Sequence, residues 1–180
     1  MRVATLFKRL LRLGGQRVVA VELIEEDDAE KVVVTIALRA RRAMRCSGCQ
    51  ERVRVAYDSR PMSWRHLDLG RVRCLIRAEV RRVECRGCGV RVESVPWARA
   101  GSRFTRAFED TAVYLVKHAP KSTVAALMRI DWHTVGRMIE RVVAEHAAAQ
   151  PGDGLDGLVR IGIDEVAYRK GHRHLLCVTD

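Results

Sequence analysis

The sequence predicts an α+β fold, and three observations support this class. Runs of β-branched residues near the N-terminus are typical of strands, two C-x-x-C pairs lie in the middle of the chain, and residues from Thr105 to His146 show helical periodicity. The chain has 180 residues, of which 48% are hydrophobic. This is enough apolar sequence to bury a core, and it excludes wholesale disorder.

The N-terminal region, residues 1–40, is predicted to form a helix followed by a β-hairpin. Residues Met1 to Gly15 interleave Leu and Phe with Arg and Lys, which indicates an amphipathic helix and lacks the features of a secretory signal. An organellar transit peptide is the weaker alternative. The runs Gln16 to Glu25 and Lys31 to Leu38 predict two strands joined by an acidic turn.

Positive charge is concentrated in one segment of the chain. Residues 39–106 contain 18 Lys and Arg residues against 6 Asp and Glu residues, a net charge of +12, whereas the remainder carries 15 against 16, or −1. Such a surface repels itself unless it faces a polyanion, and nucleic-acid phosphate is the commonest one. A membrane surface is disfavoured because the segment lacks a wide apolar helical face, and no window approaches the ~18 apolar residues that span a bilayer.

Two cysteine pairs indicate a structural zinc site in residues 41–100. With no export signal, the six cysteines are expected to be reduced, so paired cysteines favour a metal over disulfides. Each pair has Gly at its third position, where we expect a backbone conformation that few other residues adopt. Four thiolates complete a closed tetrahedral zinc site without an open catalytic position. The predicted ligands are Cys46, Cys49, Cys85 and Cys88.

The 35 residues between the two pairs predict an inserted hairpin that carries the segment from Trp64 to Gly70. Short strand-like runs flank it at Arg52 to Ala56 and at Val72 to Val83. Arg81 and Arg82, beside the second pair, are expected either to stabilise thiolate charge or to contact phosphate. The unpaired Cys74 and Cys177 are expected to be small buried hydrophobes, and His66 to be a surface or hydrogen-bonding residue rather than a ligand.

Residues 101–149 are predicted to form three helices. Apolar residues recur every three or four positions from Thr105 to His118, which is the spacing of an amphipathic helix, and Pro120 ends this helix. Ser122 is expected to cap a short second helix that ends at Met128, and Asp131 to cap a third. The third helix is expected to bury Val135, Ile139, Val142 and Val143.

A short helix, a tight turn and a longer helix form the helix-turn-helix pattern, in which the second helix of the pair enters the major groove of DNA. A plain helical bundle is the alternative. The turn position often held by Gly is Arg129 here, which departs from the pattern, and Trp132 is expected to be either core or contact. The candidate DNA contacts are Arg81, Arg82, Lys121, Trp132, His133, Thr134 and Arg137.

Residues 150–157 have the composition of a linker, with three Gly, one Pro and two Asp. Beyond it, Leu158 to Ala167 and His172 to Thr179 predict two strands. The first contains Asp164, and a carboxylate in an apolar strand is costly unless it binds something.

The motifs described above, taken in order, resemble the ISL3 family of bacterial insertion-sequence transposases. In that family a zinc module and a helix-turn-helix bind the terminal inverted repeats of the element, and a ribonuclease-H-like domain with an Asp-Asp-Glu triad cuts and joins DNA. The matching stretches are CSGC, WRHLDLG, RRVECRGCGVRVESVPWA, RFTRAFED, the W-x-x-V-x-x-x-x-E stretch from Trp132 to Glu140, and GIDEVAYRKGHRHL.

The resemblance implies that the four paired cysteines are zinc ligands and that Asp164 is the first catalytic Asp. Residues 158–180 are then the first two strands of an incomplete ribonuclease-H-like domain. Two-metal phosphoryl transfer needs several carboxylates around a pair of Mg²⁺ ions. We therefore expect this polypeptide to bind double-stranded DNA but to lack strand-transfer activity. It would come from a truncated gene or be a partial sequence. Mg²⁺ is expected to be required only by the full-length catalytic domain.

The same reading predicts a cytoplasmic, nucleoid-associated bacterial protein that does not bind membranes. Unpartnered apolar strands at the C-terminus favour self-association into a homo-oligomer. Two other functions remain open from sequence. One is a stand-alone transcriptional regulator with the same two modules, and the other is a zinc-ribbon accessory that binds protein.

Overall fold

A computed structural model describes residues 3–12, 16–26, 29–38, 42–149, 162–169 and 173–179. The chain divides into two compact units, Met1–Val142 and Val143–Asp180. The helices are α1 Val3–Leu11, α2 Arg106–Val116, α3 Lys121–Met128 and α4 Trp132–Ala149. The strands are β1 Arg17–Glu26, β2 Ala29–Ala37, β3 Met44–Arg45, β4 Arg52–Val53, β5 Ala56–Leu69, β6 Val72–Cys85, β7 Gly89–Val92, β8 Gly162–Arg169 and β9 Arg173–Thr179. The α+β prediction is confirmed.

One five-stranded sheet organises the first unit. The strand order is β1-β2-β6-β5, and β7 pairs with β6. The predicted N-terminal hairpin is confirmed as β1 and β2, and β2 runs parallel to β6. A parallel pair needs a long crossover connection, and here that connection contains the first cysteine pair and β5. Residues 1–40 and 41–100 therefore share one sheet.

The longest pair of strands in this sheet is the β5–β6 hairpin, which turns at Gly70 with φ +63°. The inserted hairpin was expected, but β5 begins earlier than the sequence indicates, and β4 is only two residues long. The first half of β5 contains Asp58, Ser59 and Pro61, which are weak strand formers. This half is a strand because its backbone pairs with β6, which is a tertiary effect.

One face of the sheet is covered by α1 and by the segment after β7. Alternate residues of β6 are buried there, as the two-residue period of a strand requires. Trp64 and Trp97 pack edge to face with ring centroids 5.4 Å apart. Cys74 is fully buried, as expected, and burial raises the pKa of its thiol to about 11. The buried cluster consists of Leu11, Val34, Ile36, Trp64, Cys74, Ile76, Ala78, Val80, Val95, Trp97 and Ala98.

The three predicted helices of the next segment are confirmed as α2, α3 and α4, which share a second apolar cluster. Thr105 caps α2 by accepting a hydrogen bond from the Phe108 N–H. Two details of the prediction are wrong. Pro120, not Ser122, precedes α3 and offers no side-chain cap, and Val143 is exposed because α4 turns that position away from the cluster.

The second unit contains the antiparallel pair β8 and β9, with Asp164 opposite Cys177. The two strands agree with the sequence prediction over the residues described. The predicted linker, residues 150–157, lies outside the described residues. None of the described helices is long and apolar enough to cross a membrane.

A buried carboxylate ties the loop before α2 to the helices. Glu109 is fully buried, and it accepts hydrogen bonds from Arg99 Nη1 at 3.2 Å, from Arg141 Nη2 at 2.6 Å and from the Ser102 hydroxyl at 2.7 Å. Two arginines therefore share one carboxylate inside the unit. Removing that charge takes away one of the two carboxylates that the buried Arg99 guanidinium contacts, since Asp110 is the other.

We predict that Glu109→Ala lowers the free energy of unfolding by about 3 kcal/mol, the typical cost of breaking a buried ion pair from one side. Chemical denaturation followed by circular dichroism measures the change. Glu140→Gln on exposed α4 surface is the matched control and should leave the free energy of unfolding unchanged. Equal stability of Glu109→Ala and the control would contradict the assigned role.

Candidate metal centre and nucleic-acid interface

The four predicted ligand cysteines converge at one end of the sheet. Cys46 and Cys49 belong to the turn between β3 and β4, and Cys85 and Cys88 to the turn between β6 and β7. The four Sγ atoms all lie within 4.8 Å of one another, and those of Cys49 and Cys85 are 3.5 Å apart. Zn–S bonds of ~2.3 Å in a tetrahedron place sulfurs roughly 3.8 Å apart, so this donor set fits a zinc ion.

Backbone hydrogen bonds hold the two turns together. The Ser47 N–H donates to the Val92 carbonyl at 3.3 Å, and the Ser94 N–H donates to the Arg45 carbonyl at 2.8 Å. The backbones of Cys46 and Glu93 also pair in an isolated antiparallel β-bridge. The sheet thereby brings the two turns together independently of the sulfurs.

The glycines in these turns act differently from the sequence expectation. Neither Gly48 nor Gly87 has a positive φ, so a special backbone conformation is not their role. A Cβ on Gly48 would lie 3.1 Å from Cys88 Sγ, so Gly48 makes room for the opposite cysteine. Gly89 has φ +69°, and Gln50 has φ +61°, so the left-handed conformations fall just after each pair.

Electrostatics at the cluster favours a bound cation. Burial raises the pKa of the Cys46 thiol, but hydrogen bonds from the Cys49 and Gly48 N–H groups and from neighbouring thiols lower it to about 7. The Cys49 and Cys46 sulfurs raise the pKa of Cys88 to about 12. One thiol therefore ionises readily while another resists a second negative charge. A divalent cation removes this conflict by neutralising the thiolates together.

The two arginines near the second pair bind carboxylates. Arg81 contacts the buried Glu93 with two nitrogens, Nε at 2.9 Å and Nη2 at 2.7 Å. Arg82 forms an ion pair with Asp58, and its guanidinium lies over the Tyr57 ring at 5.3 Å. The hydrogen bond from Arg82 holds the pKa of Asp58 below its usual range. Their expected contacts with phosphate stay a prediction.

The helix-turn-helix turn contains the unusual Arg129. This residue has φ +54° and ψ +49°, the left-handed conformation that Gly usually supplies, at a cost of roughly 1–2 kcal/mol for other residues. Its guanidinium contacts Asp68 and donates to the Arg71 carbonyl at 3.0 Å. The departure from the pattern therefore has a structural explanation: the side chain at this position binds the β5–β6 hairpin.

Asp131 caps α4 as predicted, because its Oδ1 accepts a hydrogen bond from the Thr134 N–H at 2.8 Å. Hydrogen bonds from the Thr134 hydroxyl and N–H hold the pKa of Asp131 below its usual range. Thr134 itself is buried, and its hydroxyl accepts a bond from Arg137 Nη2 at 2.8 Å. This contact orients the exposed Arg137 side chain.

The start of α4 presents an exposed aromatic and cationic surface. Trp132 is 51% exposed, so it lies on the surface rather than in the core. Lys121 Nζ lies 3.2 Å from the centroid of the Trp132 ring, and a Cβ on Gly136 would lie 2.8 Å from that nitrogen. His133 packs edge to face against Trp132. Four of the five predicted contact residues on α3 and α4, namely Lys121, Trp132, His133 and Arg137, therefore lie at this surface, whereas Thr134 is buried. Their contact with DNA stays a prediction.

Three exposed arginines were not singled out from sequence. Arg60, Arg91 and Arg103 lie around a cavity of about 300 Å³ that Ser47 of the first cysteine turn also lines. They come from three different segments and belong to the cationic stretch 39–106. Counting charges along the sequence identifies the cationic stretch, but no sequence spacing distinguishes these three arginines from the others in it.

His66 has the hydrogen-bonding role expected of it. Its Nδ1 lies 2.8 Å from the Thr105 hydroxyl, and the ring is buried against the start of α2. Burial lowers the pKa of His66 and so favours the neutral ring. Asp164 lies on β8, and its expected catalytic role stays a prediction.

Both modules correspond to known families. Residues 42–88 match the profile of the zinc-finger of transposase IS204/IS1001/IS1096/IS1165. Residues 93–143 match the profile of the helix-turn-helix domain of transposase family ISL3. No solved structure matches the chain.

Curated relatives resemble the chain over nearly its full length. The transposase for insertion sequence element IS1557 of Mycobacterium tuberculosis is 38% identical over 100% of this chain and 41% of the relative. The transposase for IS1001 of Bordetella parapertussis is 25% identical over 96% of this chain and 42% of the relative. The chain therefore spans about two fifths of the length of these relatives.

The fold and the cysteine cluster define a chain that joins a zinc-finger module to a helix-turn-helix module. Both modules and the similarity to transposases agree with the resemblance seen in the motifs. Two modules of the chain therefore match domains of ISL3-family transposases, and the chain is similar to a curated transposase over its whole length.

We predict one zinc ion per chain in protein purified under reducing conditions, measured by inductively coupled plasma mass spectrometry. Cys85→Ser removes one of four thiolates and should abolish stoichiometric binding, whereas Cys74→Ser, a buried cysteine outside the cluster, should retain the metal. Wild-type protein that is folded and free of metal would contradict this assignment.

We predict that Gly48→Ala weakens zinc binding by about tenfold, because the added Cβ displaces Cys88 Sγ from its position. Gly87→Ala is the matched control in the second turn, since a Cβ there meets nothing within 4 Å. Competition with a chromogenic zinc chelator measures both affinities. The role assigned to Gly48 is wrong if the two variants bind zinc equally well.

Proposed function

We propose that this chain is the DNA-binding region of a transposase and that it binds the terminal inverted repeats of an insertion sequence. The observation that carries the proposal is the exposed cluster at the start of α4, on a helix-turn-helix attached to a strongly cationic segment. A DNA-binding helix of this kind contacts base edges through its N-terminal residues. The names of the relatives support a transposase rather than a stand-alone regulator.

The side chains on α3 and α4 suit different parts of a DNA duplex. Arg137, oriented by Thr134, is the candidate for bidentate hydrogen bonds to guanine in the major groove. Lys121, held over Trp132, is the candidate for a phosphate contact beside it. Trp132 and His133 are the candidates for apolar contacts with base edges. Arg81 and Arg82 are further candidate phosphate contacts at the other end of the β5–β6 hairpin.

The metal in this proposal is structural. The four thiolates would hold zinc and fill its coordination, so the ion would supply folding energy and no reaction chemistry. It would fix the two cysteine turns at one end of the sheet, which belong to the cationic stretch 39–106. DNA binding by this region would then depend on zinc through the shape of the protein.

We also propose that β8 and β9 begin a ribonuclease-H-like domain in which Asp164 is a ligand of catalytic Mg²⁺. Two-metal phosphoryl transfer needs several carboxylates around the ions, so Asp164 acts only together with others. The proposed regions are 1–40, 41–100, 101–149 and 158–180, with a linker at 150–157, and the first two contribute strands to the same sheet. The protein is proposed to act at the bacterial nucleoid and to form a homo-oligomer.

We predict that Arg137→Ala removes sequence preference, lowering affinity for terminal-repeat DNA by roughly tenfold to 100-fold while affinity for scrambled DNA changes little. Arg17→Ala is the matched control, because Arg17 is an exposed arginine on β1, outside both the helix-turn-helix and the cationic stretch 39–106. Fluorescence anisotropy with labelled duplexes measures both. If Arg137→Ala keeps the wild-type preference, α4 does not read the bases.

A further inference from the structure

We propose that the tip of the β5–β6 hairpin positions the helix-turn-helix through Arg65, Asp68 and Arg129, so that the zinc module and α4 contact DNA at a fixed separation of about one helical turn. The proposal rests on the proposed DNA binding and adds the geometry of the DNA site. Arg65 and Asp68 are positioning residues, because they act on α4 through the turn before it.

Arg65 fastens the C-terminal end of α3 to the hairpin. Its Nη1 donates to the Arg129 carbonyl at 2.8 Å, and its Nη2 donates to the Met128 carbonyl at 3.0 Å. These carbonyls are among those that a helix leaves without partners, and a cation at this end also suits the helix dipole. The guanidinium lies 5.3 Å from the Phe108 ring centroid, so it also packs on α2.

Asp68 links two arginines from different parts of the chain. It accepts a hydrogen bond from Arg65 Nη2 at 3.1 Å and forms an ion pair with Arg129. The side chains of Arg65 and Asp68 are only 12% and 17% exposed, which limits screening by solvent. The three side chains therefore form one cluster between the hairpin tip and the helix-turn-helix turn.

A second set of contacts restrains the start of α2. The Arg65 N–H donates to the Arg103 carbonyl at 2.9 Å, and the Thr105 N–H donates to the Arg65 carbonyl at 2.9 Å. The His66 ring contacts the Thr105 hydroxyl at 2.8 Å. Because α2 and α3 are each attached to β5, the helical segment is restrained against rotation as well as separation.

The other end of the same hairpin carries the metal centre. Arg65 lies opposite Leu75 on β6, and Cys85 is the last residue of that strand. Ten residues of strand at ~3.3 Å each separate these positions by roughly 33 Å. One turn of B-DNA is ~34–36 Å long, so the hairpin has the length to place both ends on successive grooves of one face of a duplex.

The test uses a DNA duplex that the wild-type chain selects from a random pool. A hydroxyl-radical footprint should show two protected segments about 10 base pairs apart on one face of the duplex. Inserting 5 base pairs between them puts the segments on opposite faces and should lower wild-type affinity at least about tenfold, whereas a flexible protein would lose little.

The double variant Arg65→Ala with Arg129→Gly removes both arginines that bind Asp68, and with them the bonds from Arg65 to the Met128 and Arg129 carbonyls, while leaving at position 129 a residue that suits the left-handed conformation. It should lose less than about threefold in affinity on the same insertion. Glu79→Gln is the control, because Glu79 is an exposed carboxylate on β6 of the same hairpin. Circular dichroism and zinc content establish that each variant is folded, and a single variant replaces the double one if it is not.

Each result decides the proposal. A single protected segment, or wild-type tolerance of the insertion, overturns it, and so does a double variant as sensitive to the insertion as the wild type. If the wild type selects no DNA, the proposed function fails, and hydrogen exchange still tests the coupling. Exchange at the amides of positions 129 and 130, corrected for the intrinsic rate of each sequence, should be faster in the double variant, and unchanged protection overturns the positioning role.

Discussion

The convergence of four cysteine sulfurs within 4.8 Å of one another is the constraint on which the two turns at this end of the sheet depend, because four thiolates so close would repel one another. The sheet brings the cysteine turns together through backbone hydrogen bonds, and the neighbouring Cys49 and Cys46 sulfurs raise the pKa of the Cys88 thiol, which opposes a second negative charge there. A zinc ion bound at this cluster would neutralise the thiolates and add a coordinate bond to each sulfur. Among the described residues, backbone hydrogen bonds of the sheet already hold the two turns side by side.

The few acidic residues of the cationic stretch join its parts. Of the six carboxylates in residues 39–106, three form ion pairs between distant parts of the chain: Asp58 with Arg82, Asp68 with Arg129, and Glu93 with Arg81. Glu109 does the same between the loop before α2 and α4. Each of these carboxylates fixes the position of an arginine from another segment. Arg60, Arg91 and Arg103 are exposed around a cavity. The cationic stretch therefore contains both arginines that stabilise the fold through ion pairs and arginines that face solvent.

The helix-turn-helix is joined to the rest of the first unit through its turn. Gly at the turn position of a helix-turn-helix adopts the left-handed backbone conformation without strain but has no side chain to contact another element. Arg129 adopts the left-handed conformation despite its energetic cost, and its side chain contacts Asp68. Arg65 donates hydrogen bonds to the backbone carbonyls of Arg129 and of Met128 before it. The stretch WRHLDLG therefore supplies the side chains that hold the turn of the helix-turn-helix, whereas the side chains of Trp132 and Arg137 are exposed.

The sequence by itself determined the elements whose signals are local. The cysteine spacing predicted which four sulfurs converge, the helical period with Asp131 as a cap located α4, and the β-branched runs located β1 and β2. Tertiary structure alone decided the parallel pairing of β2 with β6, the strand character of the first half of β5, and the cluster of Arg65, Asp68 and Arg129. The physical reason is distance along the chain: caps, periods and turns act over a few residues, whereas Asp68 and Arg129 are 61 positions apart and meet only when the fold is complete.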